Sequence, residues 1–193
     1  MKVNTLKLAI IGPEYIGKTN LCKEMTGQDK ASTYIGTIGV DYLHRTIPGT
    51  KLTVGLWDLS GAKRFETIIE SFARNSDILM FGFSSEDKGS YNLMMELYNR
   101  FSDNYFLRKK EIIVIATKTD SSKSYEGYKE DGSLAATKMS CKFIETSSVT
   151  RAGINDIFDI CRSHYDRNID PQNFKLENVD LSDPTLKTPC YIC

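Results

Sequence analysis

The sequence has no net charge, because 25 Lys and Arg residues are balanced by 25 Asp and Glu. A general nucleic-acid binder would show a basic excess or stripe, so this balance argues against that class. Long apolar runs are missing too. Stretches such as Ile112-Ile113-Val114-Ile115-Ala116 fall far short of the ~20 residues that cross a bilayer, and no transmembrane segment is expected. The opening MKVNTLKLAIIGP lacks an apolar block followed by a small-residue cleavage site, and it reads as a first strand rather than a secretory leader. Cys22, Cys141, Cys161, Cys190 and Cys193 are an odd set without the spacing of a disulfide framework, which points to a reducing compartment. Internal repeats and low-complexity blocks are absent. What remains, at 193 residues with 40% apolar and 26% charged, is one ordinary globular domain. It is long enough to bury about two thirds of its unfolded surface without a disulfide or metal staple.

Strand-forming and helix-period segments alternate along the chain. Leu6–Ile11, Ile78–Phe83 and Ile112–Thr117 are continuous apolar runs, the pattern of strands buried on both faces. Val40–Ile47 and Lys51–Trp57 alternate in polarity around Pro48-Gly49, a turn between two strands. Lys18–Met25 is expected to be helical and to stop near Gly27. Tyr91–Phe101 carries Leu93, Leu97, Tyr98 and Phe101 at helical spacing, and Ile154–His164 carries Ile154, Ile157, Phe158 and Cys161 as one stripe. A last strand is expected near Lys142–Thr146. The order β-α-β-β-α-β-α-β-α-β-α implies an α/β fold, with a six-stranded, mostly parallel sheet covered by helices on both faces. Residues 1–166 form this domain. Residues 167–193 read as a flexible, slightly acidic tail, with prolines at 171, 184 and 189.

Three motifs carry chemistry, each expected at the end of a strand. Gly12-Pro13-Glu14-Tyr15-Ile16-Gly17-Lys18-Thr19 follows GxxxxGK plus Ser or Thr between a strand and a helix, the pattern of a P-loop NTPase. Backbone N–H groups of such a loop face inward and cradle phosphate oxygens at the positive end of a helix. Lys18 supplies a compact charge to the β- and γ-phosphates, and Thr19 a hydroxyl to Mg²⁺. Asp58-Leu59-Ser60-Gly61 is a DxxG: its aspartate can reach Mg²⁺ and its glycine N–H a γ-phosphate. Thr117-Lys118-Thr119-Asp120 is a TKxD, whose carboxylate can accept from both guanine N1–H and N2–H₂. Adenine lacks that donor pair, so Asp120 discriminates between the bases. Glu145-Thr146-Ser147-Ser148 adds a backbone N–H near guanine O6.

On these motifs the chain resembles a Ras-superfamily small GTPase with its G domain, and within that group the Rab family. Thr37-Ile38-Gly39-Val40-Asp41-Tyr42, Trp57-Asp58 and Arg64-Phe65-Glu66-Thr67-Ile68 carry the Rab likeness, which covers about residues 4–166. The resemblance implies a GTP/GDP site lined by Gly12 to Asn20, Lys30, Tyr34, Thr37, Gly61, Thr117, Lys118, Asp120, Ser147, Ser148 and Val149. It implies Mg²⁺ on Thr19, Thr37 and Asp58. Catalysis would fall to Lys18, Thr37, Gly61 and the residue after it, Ala62. Segments 30–42 and 61–75 would be the two switches, ordered by the γ-phosphate and released after hydrolysis. An effector surface would comprise Ile38, Gly39, Val40, Asp41, Tyr42, Trp57 and Phe72, although simple core packing also explains the three aromatics. Exchange factors, GTPase-activating proteins, effectors, and prenylation and membrane-extraction chaperones are the partners so implied, with no nucleic acid among them.

The pattern breaks where hydrolysis happens. The family's water-orienting glutamine is Ala62, which has no polar atom for the task. The small residue beside the γ-phosphate is Glu14, whose carboxylate either crowds the phosphate or points to solvent. The aromatic flanking guanine is matched in spacing by Lys30, and Val149 stands where the family has lysine. Thr117 replaces the commoner asparagine, as it does in Rho-like chains. Slow intrinsic hydrolysis is the expectation, leaving a GTP-biased switch or a scaffold held in one nucleotide state. A nucleoside kinase would need an arginine-rich lid, and none is visible. The chain closes on Cys190-Tyr191-Ile192-Cys193, a C-a-a-X form with an unusual X that also resembles doubly prenylated Rab tails. Cys190 and Cys193 would anchor the protein to the cytosolic face of membranes. His44 and His164 read as surface or sheet residues without chemistry.

Overall fold

The computed structural model of the chain describes residues 4–29, 37–102, 107 and 110–168. The expectations for Lys30, Tyr34, Cys190 and Cys193, and for nearly all of the tail, lie outside these residues. Within them the order is β1 (Asn4–Ile11), α1 (Lys18–Thr26), β2 (Val40–Thr46), β3 (Leu52–Leu59), a 3₁₀ turn (Lys63–Phe65), α2 (Glu66–Asn75), β4 (Ile78–Ser84), α3 (Lys88–Ser102), β5 (Glu111–Thr117), α4 (Tyr128–Met139), β6 (Lys142–Glu145) and α5 (Ile154–Asn168). The strands form one six-stranded sheet in the order β2-β3-β1-β4-β5-β6, parallel except for the β2–β3 hairpin.

Alternation along the strands divides the core in two. Leu6, Leu8 and Ile10 of β1, Met80 of β4 and Ile113 and Ile115 of β5 share one layer with α1 and α5. Ala9 and Ile11 of β1, Phe81 and Phe83 of β4 and Val114 of β5 face the layer built with α2, α3 and α4. Successive crossovers therefore leave β1 and β4, neighbours in the sheet, towards opposite faces. This opens a crevice at their carboxyl ends, where ligands bind in such sheets.

Three details differ from the sequence reading. β3 was expected to alternate, yet every residue but Trp57 is buried, because β3 lies inside the sheet between β1 and β2, covered on both faces. Of the apolar residues assigned to the helix over 91–101, Leu93 is 49% exposed. Leu97, Tyr98 and Phe101 pack against the core as expected, joined by Tyr91 and Met94 in place of Leu93, and the helix starts at Lys88, where the Asp87 carboxylate accepts the Gly89 N–H at 2.8 Å. His164 is a buried residue of α5, 3.6 Å from Glu111, and not a surface one. No helix among the described residues is long and apolar enough to cross a membrane.

Gly27 and Gly153 both adopt left-handed backbone, φ 74° and 72°, but in different surroundings. Gly27 ends α1 in open space, whereas a Cβ on Gly153 would collide with the backbone carbonyl of Glu145. Gly27→Ala should therefore cost about 1 kcal/mol, the left-handed penalty alone. Gly153→Ala should cost roughly 1–3 kcal/mol more through overpacking. Urea midpoints of the two variants test this order, and equal losses would contradict it.

Candidate functional site

The loop after β1 wraps around its own lysine. Lys18, in the first turn of α1, is 7% exposed, and its Nζ donates to the carbonyls of Gly12 at 3.0 Å and Pro13 at 2.7 Å. Burial pulls its pKa down to about 8, against the attraction of the Asp58 carboxylate and a smaller pull from Glu14. Tyr15 and Gly17 take positive φ of 65° and 95°, which bends the loop into a concave turn. Gly12 and Pro13 are buried, Ile16 is buried beneath the loop beside Gly82, and Glu14, Tyr15 and Asn20 are exposed. A Cβ on Gly61 would strike the backbone of Pro13 and Glu14, so the DxxG turn lies directly against this loop.

Beside Lys18 three oxygen-bearing side chains from separate segments converge. Thr19 Oγ1 donates to Asp58 Oδ2 at 2.6 Å, Thr37 Oγ1 lies 2.9 Å from Thr19 Oγ1, and Thr37 Oγ1 reaches the same Oδ2 at 3.3 Å. Asp58 is fully buried, and its second oxygen, Oδ1, has no hydrogen-bond partner among the described residues. Burial raises the Asp58 carboxyl above its usual range, opposed by the Thr19 bond and by Lys18. A buried carboxylate with an unmatched oxygen, flanked by two hydroxyls, is a hard donor set that suits Mg²⁺.

The third motif sits at the end of β5. Thr117 Oγ1 is buried and donates to the carbonyls of Ile16 at 2.5 Å and Phe83 at 3.1 Å, tying β5 to the phosphate loop and β4. Threonine thus serves this tie without asparagine. The Lys118 stem lies over Gly17. Asp120 is exposed, and its Oδ1 accepts from Ser147 Oγ at 2.6 Å. Ser147 Oγ also accepts the N–H groups of Val149 and Thr150, both at 3.0 Å, which shapes the loop after β6. Ser148 is half-buried and Val149 is 75% exposed.

On another face Tyr42 meets Trp57 at 4.4 Å and Trp57 meets Phe72 at 4.7 Å between ring centroids, both pairs tilted. Tyr42 stays 44% exposed and Ile38 81%, so this strip is not closed core. Gly39, Val40 and Asp41 run along its edge into β2, with the Gly39 carbonyl accepting the Ser60 N–H at 2.9 Å. Ala62 is half-buried, and its own N–H donates to Ser60 Oγ at 3.3 Å. The motifs did not point to Glu86, which bonds to both Lys118 and Ser121. A carboxylate two residues past a buried strand was its only trace in the sequence. A shallow groove of about 870 Å³ between β6 and α5, lined by charged residues including Asp156, Asp159 and Arg167, lies away from all three motifs.

The comparisons agree with this geometry. The model of the Ras family matches residues 7–166. Ras-related protein Rab-15 of Rattus norvegicus is 29% identical over 154 residues, covering 79% of this chain and 72% of that protein. GTP-binding protein ypt2 of Schizosaccharomyces pombe is 28% identical over 196 residues, with 96% of each chain covered. Ras-related protein Rab-18 of Lymnaea stagnalis is 29% identical over 161 residues, 81% of this chain and 78% of that one.

The lowered pKa of Lys18 makes a measurable demand. A diphosphate seated in the loop would hold Lys18 charged, so above about pH 8 binding takes up a proton that the free protein has released. Affinity for guanosine diphosphate should therefore be level below that pH and fall by up to about tenfold per unit above it. Equilibrium titration between about pH 7 and about pH 9.5 reads the slope. A flat profile would mean that Lys18 is already charged in the free protein across this range, against the lowering by burial.

Proposed function

The chain belongs to the Ras family and is Rab-like, and we propose from this that it is a GTP-binding switch acting in membrane trafficking by recruiting effectors when GTP is bound. The observation that carries the reading is the convergence of Lys18, Thr19, Thr37 and Asp58 at one end of the crevice, with Asp120 at the other. Lys18 and the loop amides would hold the phosphates, and Asp120 would accept from the guanine edge. Thr19, Thr37 and Asp58 would hold Mg²⁺, which when bound neutralises charge between the β- and γ-phosphates. Because Thr37 precedes the strip formed by exposed Ile38 and Tyr42 with half-buried Trp57 and Phe72, its engagement would couple nucleotide state to effector binding. Exchange factors, GTPase-activating proteins and membrane-extraction chaperones are the regulators this reading entails.

Hydrolysis is the weak step. Ala62 cannot orient water, and Glu14 brings a carboxylate to the phosphate loop, so both departures act against the same transition state. Cells hold more GTP than GDP, so exchange would set the bound state and the protein would rest mainly in the GTP form. The same two residues favour a second reading, a scaffold whose nucleotide does not cycle. Single-turnover hydrolysis of bound GTP separates them. The parent chain should be nearly inert over hours and Ala62→Gln faster by about ten- to a hundredfold. A parent rate ordinary for small GTPases would overturn the GTP bias, and an inert Ala62→Gln would favour the scaffold.

Attachment would run through prenyl groups on Cys190 and Cys193. With no polybasic patch in the tail, one lipid holds a protein only marginally. Cys190→Ser should move the protein from the membrane to the soluble fraction in a vesicle-sedimentation assay. Firm retention would refute the prenyl reading.

A further inference from the structure

The turn bearing Asp120 is gripped from outside its own motif. Glu86 lies just beyond β4, and its carboxylate bonds to residues on both sides of Asp120. Its Oε2 accepts from Lys118 Nζ at 3.0 Å and its Oε1 from Ser121 Oγ at 2.6 Å. Ser85 adds to the hold: its N–H donates to the Thr117 carbonyl and its Oγ to the Lys118 carbonyl, both at 3.0 Å, while Ser124 Oγ donates to Ser85 Oγ at 2.9 Å. Lys118 is itself in a left-handed conformation, φ 57°, so its backbone is held by context.

We propose that Glu86 is a positioning residue for base recognition: by bonding Lys118 and Ser121 at once, it fixes the direction in which Asp120 meets the guanine edge and keeps the Lys118 stem drawn across the phosphate loop. The proposal rests on the reading of Asp120 as the base acceptor. The Lys118 and Glu86 side chains are 39% and 29% exposed, and ion pairs so open to water contribute little to stability. The value of this carboxylate therefore lies in direction rather than in holding the fold. A flexible lysine stem and a short turn have rotational freedom to lose, and a charge-assisted acceptor with two anchored donors removes it in advance. Ser147 fixes Asp120 from the opposite side through Oδ1, so the base acceptor is braced from two elements, and Glu86 is the brace that reaches both flanks.

The test compares release of GDP with release of inosine diphosphate, whose base lacks the N2 amine and so donates one bond fewer to a well-aimed Asp120. The parent should release inosine diphosphate faster than GDP. Glu86→Gln, nearly identical in shape, should speed GDP release by about tenfold and inosine diphosphate release much less, narrowing the ratio. Its urea midpoint should not move. Ser121→Ala should add little once Glu86→Gln is in place, since both remove one linkage. Glu86→Asp, keeping the charge at shorter reach, should restore part of the ratio. GDP release within about twofold of the parent, or equal acceleration of both nucleotides, would overturn the proposal. Asp120→Asn is the companion measurement: it should exchange guanine preference for xanthine, whose C2 carbonyl accepts where guanine donates. If Asp120→Asn keeps its guanine preference, the base-site reading fails and Glu86 falls with it. If Asp120→Asn switches while Glu86→Gln leaves the ratio unchanged, only the role of Glu86 is refuted.

Discussion

The full burial of the Asp58 carboxylate is the constraint around which the rest of the site is arranged. A carboxylate at zero exposure is costly unless it is paired and hydrogen-bonded. Its partners come from two places in the chain: Thr19 and the nearby positive charge of Lys18 from the first turn of α1, and Thr37 from the segment entering β2. Burial disfavours charge on both Lys18 and Asp58; the Asp58 carboxylate opposes this at Lys18, and the Thr19 hydrogen bond followed by the Lys18 charge opposes it at Asp58. Removing either would leave the remaining charge uncompensated, so the first turn of α1 and the end of β3 are energetically one unit, to which Thr37 is hydrogen-bonded. Even so, Oδ1 stays unmatched among the described residues. The pairing offered by protein groups alone is incomplete, as expected of oxygens arranged for a hard divalent cation.

The sheet explains how residues so distant in sequence come together. Parallel register sets Ile10 of β1 opposite Asp58 of β3, so the phosphate loop and the DxxG turn leave the sheet at the same level. On the other side Ser84 of β4 is opposite Thr117 of β5, which brings the 85–86 segment against the TKxD turn. Thr117 then spans the two halves by bonding the carbonyls of Ile16 and Phe83. Because β1 and β4 send their connections to opposite faces, no helix among the described residues runs between them at their carboxyl ends. The phosphate and base ends are thus joined through strand register and one buried hydroxyl.

Sequence patterning disclosed most of this, and its failures have physical causes. Strands buried on both faces announce themselves as apolar runs, as Ile78–Phe83 does, and glycines with lysine between a strand and a helix specify phosphate chemistry by spacing. β3 misled because alternation reports residue type, while burial depends on neighbours: Thr53 and Gly55 are covered although neither is a large apolar residue. Helix α4 has few apolar residues, with Leu134 pointing outward and Gly132 inside, so its periodicity was faint and the sequence supplied only its place in the order. Glu86 was missed for a different reason. Its role depends on a contact across the sheet end to residues 32 and 35 positions later, and nothing local distinguishes such a carboxylate from a solvated one.

Groups proposed to hold the nucleotide and groups placed where hydrolysis would occur stand on different energetic footings. Lys18, Asp58 and Thr117 are buried, and altering them would leave an unpaired charge or carbonyl. Glu14 is exposed and Ala62 half-buried, and neither supports the core. On the proposed reading the fold would resist change in its grip on nucleotide while tolerating change at the positions where hydrolysis would occur. Slow hydrolysis would leave dissociation as the step that ends each nucleotide-bound state. Contacts that set the release rate, including those bracing Asp120 from Ser147 on one side and Glu86 on the other, would then govern how long the switch stays on. Control of such a switch passes from the γ-phosphate end of the crevice to its base end.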